Sequence, residues 1–430
     1  MRLVERGRVS LDDPAARHLD PVLRRTNGTT FTGIFGEKAA AVTVGHLLSM
    51  RSGIGDFDVA SYDNQLLRAG DSLHSVLEPL YAVAAFPDDD GCEFNYDSHV
   101  CTFVCDPGNC THYSSTNYVL AGLVLLAHAP PGQATVDTFD QLDALGLRKE
   151  DFGHTSTPSR GPLREEGLNV AGRSETYGPA EIYTQDASIL GWTCGNVAAS
   201  AQDVARYYQA LLGPGGSVVS SRSLEVMGTM STISKGWGAG HIDYGFGLMI
   251  QNVAPYLQDR PALTNPGSYL GHGGDTYAFM SDNGYFPYLN ASLAVIVNED
   301  SDYRYPTMVV TCAIVELVAA AMGLPSLDLG CEAVTPPNYA CDHSYGQPRC
   351  VPTSHHGTTM AACEAECTNL TAAATASATA AATAAAAPPP LQPPHASPLG
   401  TPLGRKRQRR PSPGVSSREA SREASREASR

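Results

Sequence analysis

The chain is poor in lysine, with four in 430 residues, at positions 38, 149, 235 and 406. The residues three places before them are Phe35, Gly146, Thr232 and Leu403, so no serine stands one helical turn ahead of a lysine anywhere. A G-x-S-x-G elbow, an H-E-x-x-H pair, a Walker loop and a G-x-G-x-x-G turn are all missing, which removes the commonest hydrolase, metalloprotease and nucleotide-binding readings. No C-x-x-C pair occurs, and neither cysteine group carries a histidine at zinc-finger spacing. No metal or other cofactor is therefore expected. The most apolar run, Met308–Leu324, is short and carries Glu316, so it reads as a packed helix rather than a membrane span. The first twenty residues are charged and hold no apolar core of a signal peptide. A net charge of −15 argues against nucleic acid or an anionic membrane as a partner of the body of the protein.

At 430 residues and 42% hydrophobic, the chain has ample material for a large core. Residues 1–325 have ordinary globular composition. The opening MRLVERGRVSLDDP reads as the last turn of a helix stopped at Gly7, a connector, and an Asp cap with Pro14 in the next first turn. Thr43 is placed to cap a helix through Val44, Leu47 and Leu48 that ends near Gly53, and Ser200 to cap one through Val204 and Leu211. Tyr244–Ile250 and Ala291–Asn298 read as strands. Helices with late, antiparallel-looking strands give a mixed α/β or α+β fold.

The eleven cysteines fall into Cys92, Cys101, Cys105 and Cys110, then Cys331, Cys341, Cys350, Cys363 and Cys367, with Cys194 and Cys312 apart. Disulfides in an oxidising compartment are the better reading, and an odd count leaves at least one thiol over. Four N-x-S/T sequons, at Asn27, Asn109, Asn290 and Asn369, lend mild support to a secreted glycoprotein. Residues 331–369 form a cysteine-rich module too small to fold without bridges. Residues 370–430 run from Ala/Thr-rich to Pro-rich to basic and end in SREA repeats, a low-complexity tail expected to be disordered. That tail carries +6, leaving −21 on the rest, and its run Arg405–Arg410 reads as a solvated charge patch.

Three stretches fit together: VTVGHLLSMRSGIGDF (Val42–Phe57), PGNCTHYSSTNYVLAGLVL (Pro107–Leu125) and YLGHGGDTYAF (Tyr269–Phe279). With GNVAASAQDVARY (Gly195–Tyr207), YGFGL (Tyr244–Leu248) and the opening RLVERGRVSLDDP, they resemble the serine β-lactamase-related family, which spans class C β-lactamases, D-Ala-D-Ala carboxypeptidases and related esterases. The resemblance runs from Met1 to about Leu324. It implies a β-lactamase/transpeptidase-like fold: an antiparallel sheet flanked by helices, with a helical lobe. It also implies hydrolysis of an amide or ester of a small molecule or peptide through an acyl-enzyme. Substrate identity is set by loop shape and is not legible.

Alternate side chains of an extended Y-x-S loop point the same way, so Tyr113 and Ser115 can both face a cleft. A phenol there relays a proton if nearby cations lower its pKa. By the resemblance Tyr113 is the general base and Ser115 a substrate-positioning residue. Glycines on a strand let a ligand approach the backbone, and such an edge can donate an N–H to a developing oxyanion. By the resemblance His272 takes the cationic position of the triplet His272-Gly273-Gly274, and Asp275 supplies the oxyanion N–H. Ser49 and Ser52 sit at a helix end with no base nearby in sequence and are not expected to be nucleophiles. Ala278 replaces a glycine common in relatives.

The chemistry implied by the resemblance needs S-x-x-K, in which one helical turn puts the amine beside the hydroxyl it deprotonates. In relatives that motif opens the helix whose last turn matches Leu3–Gly7. The expectation is an incomplete chain, inactive as written. Two alternatives stand beside it: a non-catalytic relative that binds a ligand in the remnant cleft, and an extracellular binding protein that acts through the cysteine-rich module.

Overall fold

The computed structural model describes residues 1–68, 72–86, 101–147, 150–161, 173–174, 180–181, 185–254, 262–277, 279–300, 306–331, 338–342, 349–353 and 363. All of them fall in one compact unit, Met1–Ala373; the second unit is Ala374–Arg430. Most of the expected cysteine module and all of the expected low-complexity tail thus lie outside the described residues, as do Ala278, Asn369 and Cys92.

The chain opens on helix α1 (Arg2–Glu5), and Gly7 turns out of it at φ 63°. The Arg2 guanidinium donates to the Leu145 carbonyl at 2.8 Å, while the Glu5 carboxylate accepts from the Ser220 N–H at 2.7 Å and the Ser223 hydroxyl at 2.6 Å. Helix α2 (Ala15–Asn27) starts after Pro14, which is its N-cap rather than part of its first turn. Asp13 does not cap it in the usual way: its carboxylate accepts from the Ser10 N–H, from Arg17 and from His18. Helix α3 (Val44–Leu48) is closed by a reciprocal capping box in which the Thr43 hydroxyl accepts from the His46 N–H and the His46 ring accepts from the Thr43 N–H. Helix α4 (Thr116–Ala127) buries Val119, Leu120, Leu123, Val124 and Leu126 with no polar face, as a central helix must. These helices enclose the larger core, built around Leu19, Leu23, Phe31, Leu47, Ile54, Leu120 and Leu123. This is the expected helical lobe. Helix α5 (Ala201–Leu212) begins where expected, with the Ser200 hydroxyl accepting from the Asp203 N–H at 3.2 Å.

The main sheet has seven strands: β1 (Ser231–Thr232), β2 (Asp243–Tyr244), β3 (Met249–Asn252), β4 (Ser268–Gly271), β5 (Gly274–Thr276), β6 (Phe279–Phe286) and β7 (Ala291–Val297). All pairs are antiparallel, in the spatial order β7-β6-β4-β3-β2-β1, with β5 also on β6. Strand β7 matches the expected Ala291–Asn298. The expected single strand Tyr244–Ile250 is instead a hairpin, because the Gly245 N–H bonds the Leu248 carbonyl at 2.8 Å and Gly247 takes φ 82°. Helix α6 (Pro306–Ala321) is the expected packed helix over the apolar run, and no helix among the described residues is long and apolar enough to cross a membrane. Its Cys312, Val315 and Ala319 cluster with Tyr269 and Phe286 of the sheet and with Leu289 of the turn after β6.

Two complete bridges are described, Cys105–Cys110 and Cys312–Cys331. The second corrects the sequence grouping: Cys331 pairs back to α6 rather than with the later cysteines. Cys101 and Cys363 are also disulfide-bonded, and Cys194 is a free thiol. In the module an antiparallel hairpin sets Asn338–Asp342 against Arg349–Thr353, with Cys341 opposite Cys350.

Candidate active site

The cleft residues come from two places that the fold joins, the run before α4 and the edge of the sheet. The Thr111–Tyr113 backbone is pinned on both sides. The His112 N–H bonds the Met50 carbonyl at 2.7 Å, the Ser234 and Lys235 N–H groups bond the Thr111 carbonyl at 2.8 and 3.1 Å, and the Tyr113 N–H reaches the Lys235 carbonyl at 3.4 Å. The Cys105–Cys110 bridge closes the chain just upstream, so this loop is braced as the cysteine spacing implies. The Ser114 hydroxyl donates to the Gly55 carbonyl at 3.0 Å, and the Ser115 N–H donates to Asp56 at 2.9 Å. Ser115 is the N-cap of α4 but already holds helical φ and ψ, −60° and −28°. The two-residue alternation expected through Y-x-S therefore stops before it.

The half-buried Tyr113 ring meets three other rings. It stands 5.0 Å from Trp237, 5.8 Å from Tyr244 and 6.4 Å from His272, centroid to centroid. The structure thus brings together Tyr113 and His272, which lie 159 positions apart. Beneath them Met50, Ile233, Ile242, Tyr244 and Met249 form a small separate core, with Tyr113 and Tyr118 packed against it.

His272 has both ring nitrogens engaged. Nδ1 lies 2.5 Å from the Gly273 carbonyl, which only accepts, so Nδ1 carries the proton. Nε2 is then the acceptor for the Tyr244 hydroxyl at 3.2 Å. Burial pushes the imidazole below its ordinary pKa, with the Gly273 contact opposing. Burial therefore works against the cationic role expected for His272 by the resemblance. Tyr113 also departs from expectation. Burial raises its phenol well above the ordinary value, and Asp56, Asp58, Cys194 and Tyr118 raise it further. The contributions named are acidic groups, where the expected proton relay needs cations. The shift favours the protonated phenol.

The strand that carries the expected oxyanion donor pairs with β6 in a continuous register. Leu270 opposes Tyr285, Gly271 opposes Gly284, Gly274 opposes Ser281 and Thr276 opposes Phe279, one unbroken register along β6. The His272 N–H bonds the Asn283 carbonyl at 3.0 Å. Antiparallel alternation then turns the N–H groups of Gly273 and Asp275 away from β6. Strand β3 accompanies β4 only as far as Met249 opposite Gly271, so residues 272–276 form an edge. Gly273 is anchored there by its N–H to the Gln251 carboxamide at 3.0 Å, which also accepts from Tyr269 at 2.8 Å. A Cβ at Gly274 would come within 2.6 Å of the Ser281 hydroxyl, which would have to turn away to admit it.

The two serines set aside as nucleophiles are structural. Ser49 donates to the Gly45 carbonyl at 2.7 Å and buried Ser52 to Asn117 at 2.6 Å. No group of three or more potential metal ligands is found among the described residues. Sequence reasoning missed Asp56, Asp58, Trp237 and Gln251. Asp56 lies in the quoted Val42–Phe57 stretch and Asp58 is the residue just after it, and Trp237 sits between two glycines in SKGWGAG.

The fold thus sets Tyr113, on the run before the buried α4, beside His272 on a glycine-bearing strand edge. Comparison with known proteins agrees: the beta-lactamase family model matches residues 1–307, and the chain belongs to that family. Among solved structures it is similar to the octameric penicillin-binding protein homologue from Pyrococcus abyssi, at 21% identity and a TM-score of 0.51, covering 78% of this chain and 64% of that one. It is also similar to the D-amino acid amidase from Ochrobactrum anthropi SV3 complexed with L-phenylalanine amide, at 18% identity and a TM-score of 0.50, covering 75% and 79%. No curated protein matches.

Proposed function

We propose that residues 1–307 form the substrate cleft of a β-lactamase-type serine hydrolase acting on amides or esters, and that the chain as given does not itself form an acyl-enzyme. The observation that carries this is the meeting of Tyr113 with the His272–Asp275 edge in a sequence that contains no S-x-x-K. An N–H of the edge at Asp275 and the Tyr113 phenol are the groups the reading assigns to polarising a carbonyl, but covalent catalysis needs a hydroxyl with an amine beside it. Without those, rate enhancement is limited to roughly the 10³–10⁴ over water that binding and oxyanion donors provide in the comparable protease case. The reading is tested by treating the purified 430-residue protein with a fluorophosphonate probe and a labelled penicillin and weighing the intact product. No adduct is expected, and stoichiometric acylation by either probe would overturn the reading.

A secretory location fits the same chain. Bridges at Cys105–Cys110 and Cys312–Cys331 favour an oxidising compartment, and the sequon residues Asn27, Asn109 and Asn290 are all exposed. Expression in a secretory host should give a product whose mass falls on glycosidase treatment. An unglycosylated, fully reduced product from that host would sink this part.

A further inference from the structure

Behind the strand edge runs a short chain of polar contacts. The Gln251 carboxamide oxygen on β3 accepts from two groups, the Gly273 N–H at 3.0 Å and the hydroxyl of buried Tyr269 at 2.8 Å. A backbone N–H only donates, so the Gly273 contact fixes which end of the carboxamide points at the edge. The same Tyr269 hydroxyl lies 2.9 Å from Asp282 Oδ1 on β6. A phenol has one proton for these two oxygens. Both bonds are complete only when that proton goes to Gln251, whose oxygen bears none, and the second proton comes from the Asp282 carboxyl. The surroundings agree with a neutral acid. Asp282 Oδ2 is sealed from solvent without a hydrogen-bond partner. Burial lifts the carboxyl above its ordinary pKa, with the Thr307 and Tyr269 hydroxyls opposing. Of the neighbouring elements, β4 contributes Tyr269 and α6 contributes Thr307, while the residue paired with Asp282 on β7 is Val295. Tyr208 of α5 acts on Tyr269.

We infer that Asp282 is a positioning residue held as a neutral acid, and that it steadies the His272–Asp275 edge through a relay in which Asp282 donates to Tyr269, Tyr269 donates to Gln251, and Gln251 holds the Gly273 N–H. The inference rests on the proposed function only in taking that edge as the part of the cleft that meets a carbonyl. With the proton in place, Tyr269 holds Gln251 from one side and Gln251 holds Gly273 on the other. When the acid ionises, the phenol turns to the carboxylate, the stronger acceptor, and Gln251 loses one of its two donors. The edge is therefore braced below the raised pKa of the carboxyl and loosened as pH rises through it.

The test is a pH titration of the isotopically labelled full-length protein by NMR, following the Asp282 carboxyl carbon and the Gly273 amide. Asp282 should titrate above the ordinary aspartate value of about 3.9, and the Gly273 amide should shift with the same midpoint. Above that midpoint Gly273 exchange, corrected for its intrinsic pH dependence, should quicken about 5–10-fold for the loss of one hydrogen bond. Asp282→Asn supplies a permanent donor, so it should keep the low-pH position of Gly273 and remove its pH dependence. Tyr269→Phe should cut the relay, so that Gly273 no longer follows Asp282. The His272 ring touches the Gly273 carbonyl, so a Gly273 titration that persists in Asp282→Asn belongs to that ring and overturns the inference. An Asp282 midpoint at or below the ordinary value, or a Gly273 amide that ignores it, overturns it as well. These readouts involve no adduct. Acylation by a probe would overturn the proposed function and leave the relay standing, and a flat titration would do the reverse.

Discussion

His112 gives the sharpest handle on stability, because it is 1% exposed and lies beside the site loop. Burial drives its pKa down from 6.5 to about 4; a backbone hydrogen bond at Lys235 opposes this and the Lys235 charge adds to it. In the unfolded chain the imidazole titrates near 6.5. Between these values the unfolded state holds a proton that the folded state does not, so stability is fully present above about pH 6.5 and is lost as pH falls toward 4. One proton corresponds to about 1.4 kcal/mol per pH unit, or about 3 kcal/mol over the whole window. The residue is buried, so solvent does not discount the figure. The measurement is a set of urea melts at pH 7.5, 6.5, 5.5 and 4.5 on the native sequence and on His112→Gln. The variant loses some stability at every pH, but the difference between the two proteins should shrink by about 1.4 kcal/mol per unit below pH 6.5. Parallel stability curves over that range would refute the assignment of a buried neutral ring.

Four further outcomes follow from single contacts. Removing the Cys105–Cys110 bridge with two serines should cost about 2 kcal/mol by the loop-entropy relation, read from urea midpoints under non-reducing conditions. Gly53→Ala places a β-carbon against the Cys105 carbonyl at φ 74°, so a loss of more than about 1–2 kcal/mol is expected in thermal melts. Tyr244→Phe removes the donor to His272 Nε2, at a cost of about 1–3 kcal/mol, and nitrogen NMR of the native protein should report the Nδ1–H tautomer. Leu120→Ala, in the wholly buried α4, should cost about 2–5 kcal/mol by chemical denaturation.

Local signals carried much of the architecture. The Thr43 and Ser200 caps, the turn at Gly7, strand β7 and the apolar α6 were legible because each depends on a few neighbouring residues. The Tyr244–Ile250 hairpin was hidden because apolar residues ran through it, and only the left-handed Gly247 reverses the chain. At the site, motif order found Tyr113 and the His272 strand, but not their ionisation. That depends on how deeply packing buries the two rings and on Tyr244 meeting His272, which only the tertiary structure creates. Cys312–Cys331 was unreadable for the same reason, since spacing assigns no partner.

The Glu5 contact also bears on how the protein is made. The serines that grip its carboxylate follow 215 and 218 positions later. At roughly 5–20 residues per second of synthesis, the first helical turn waits on the order of 10–40 s before its clasp leaves the ribosome. Until then that turn is exposed to proteases and chaperones, and slowing translation between these points lengthens the exposure.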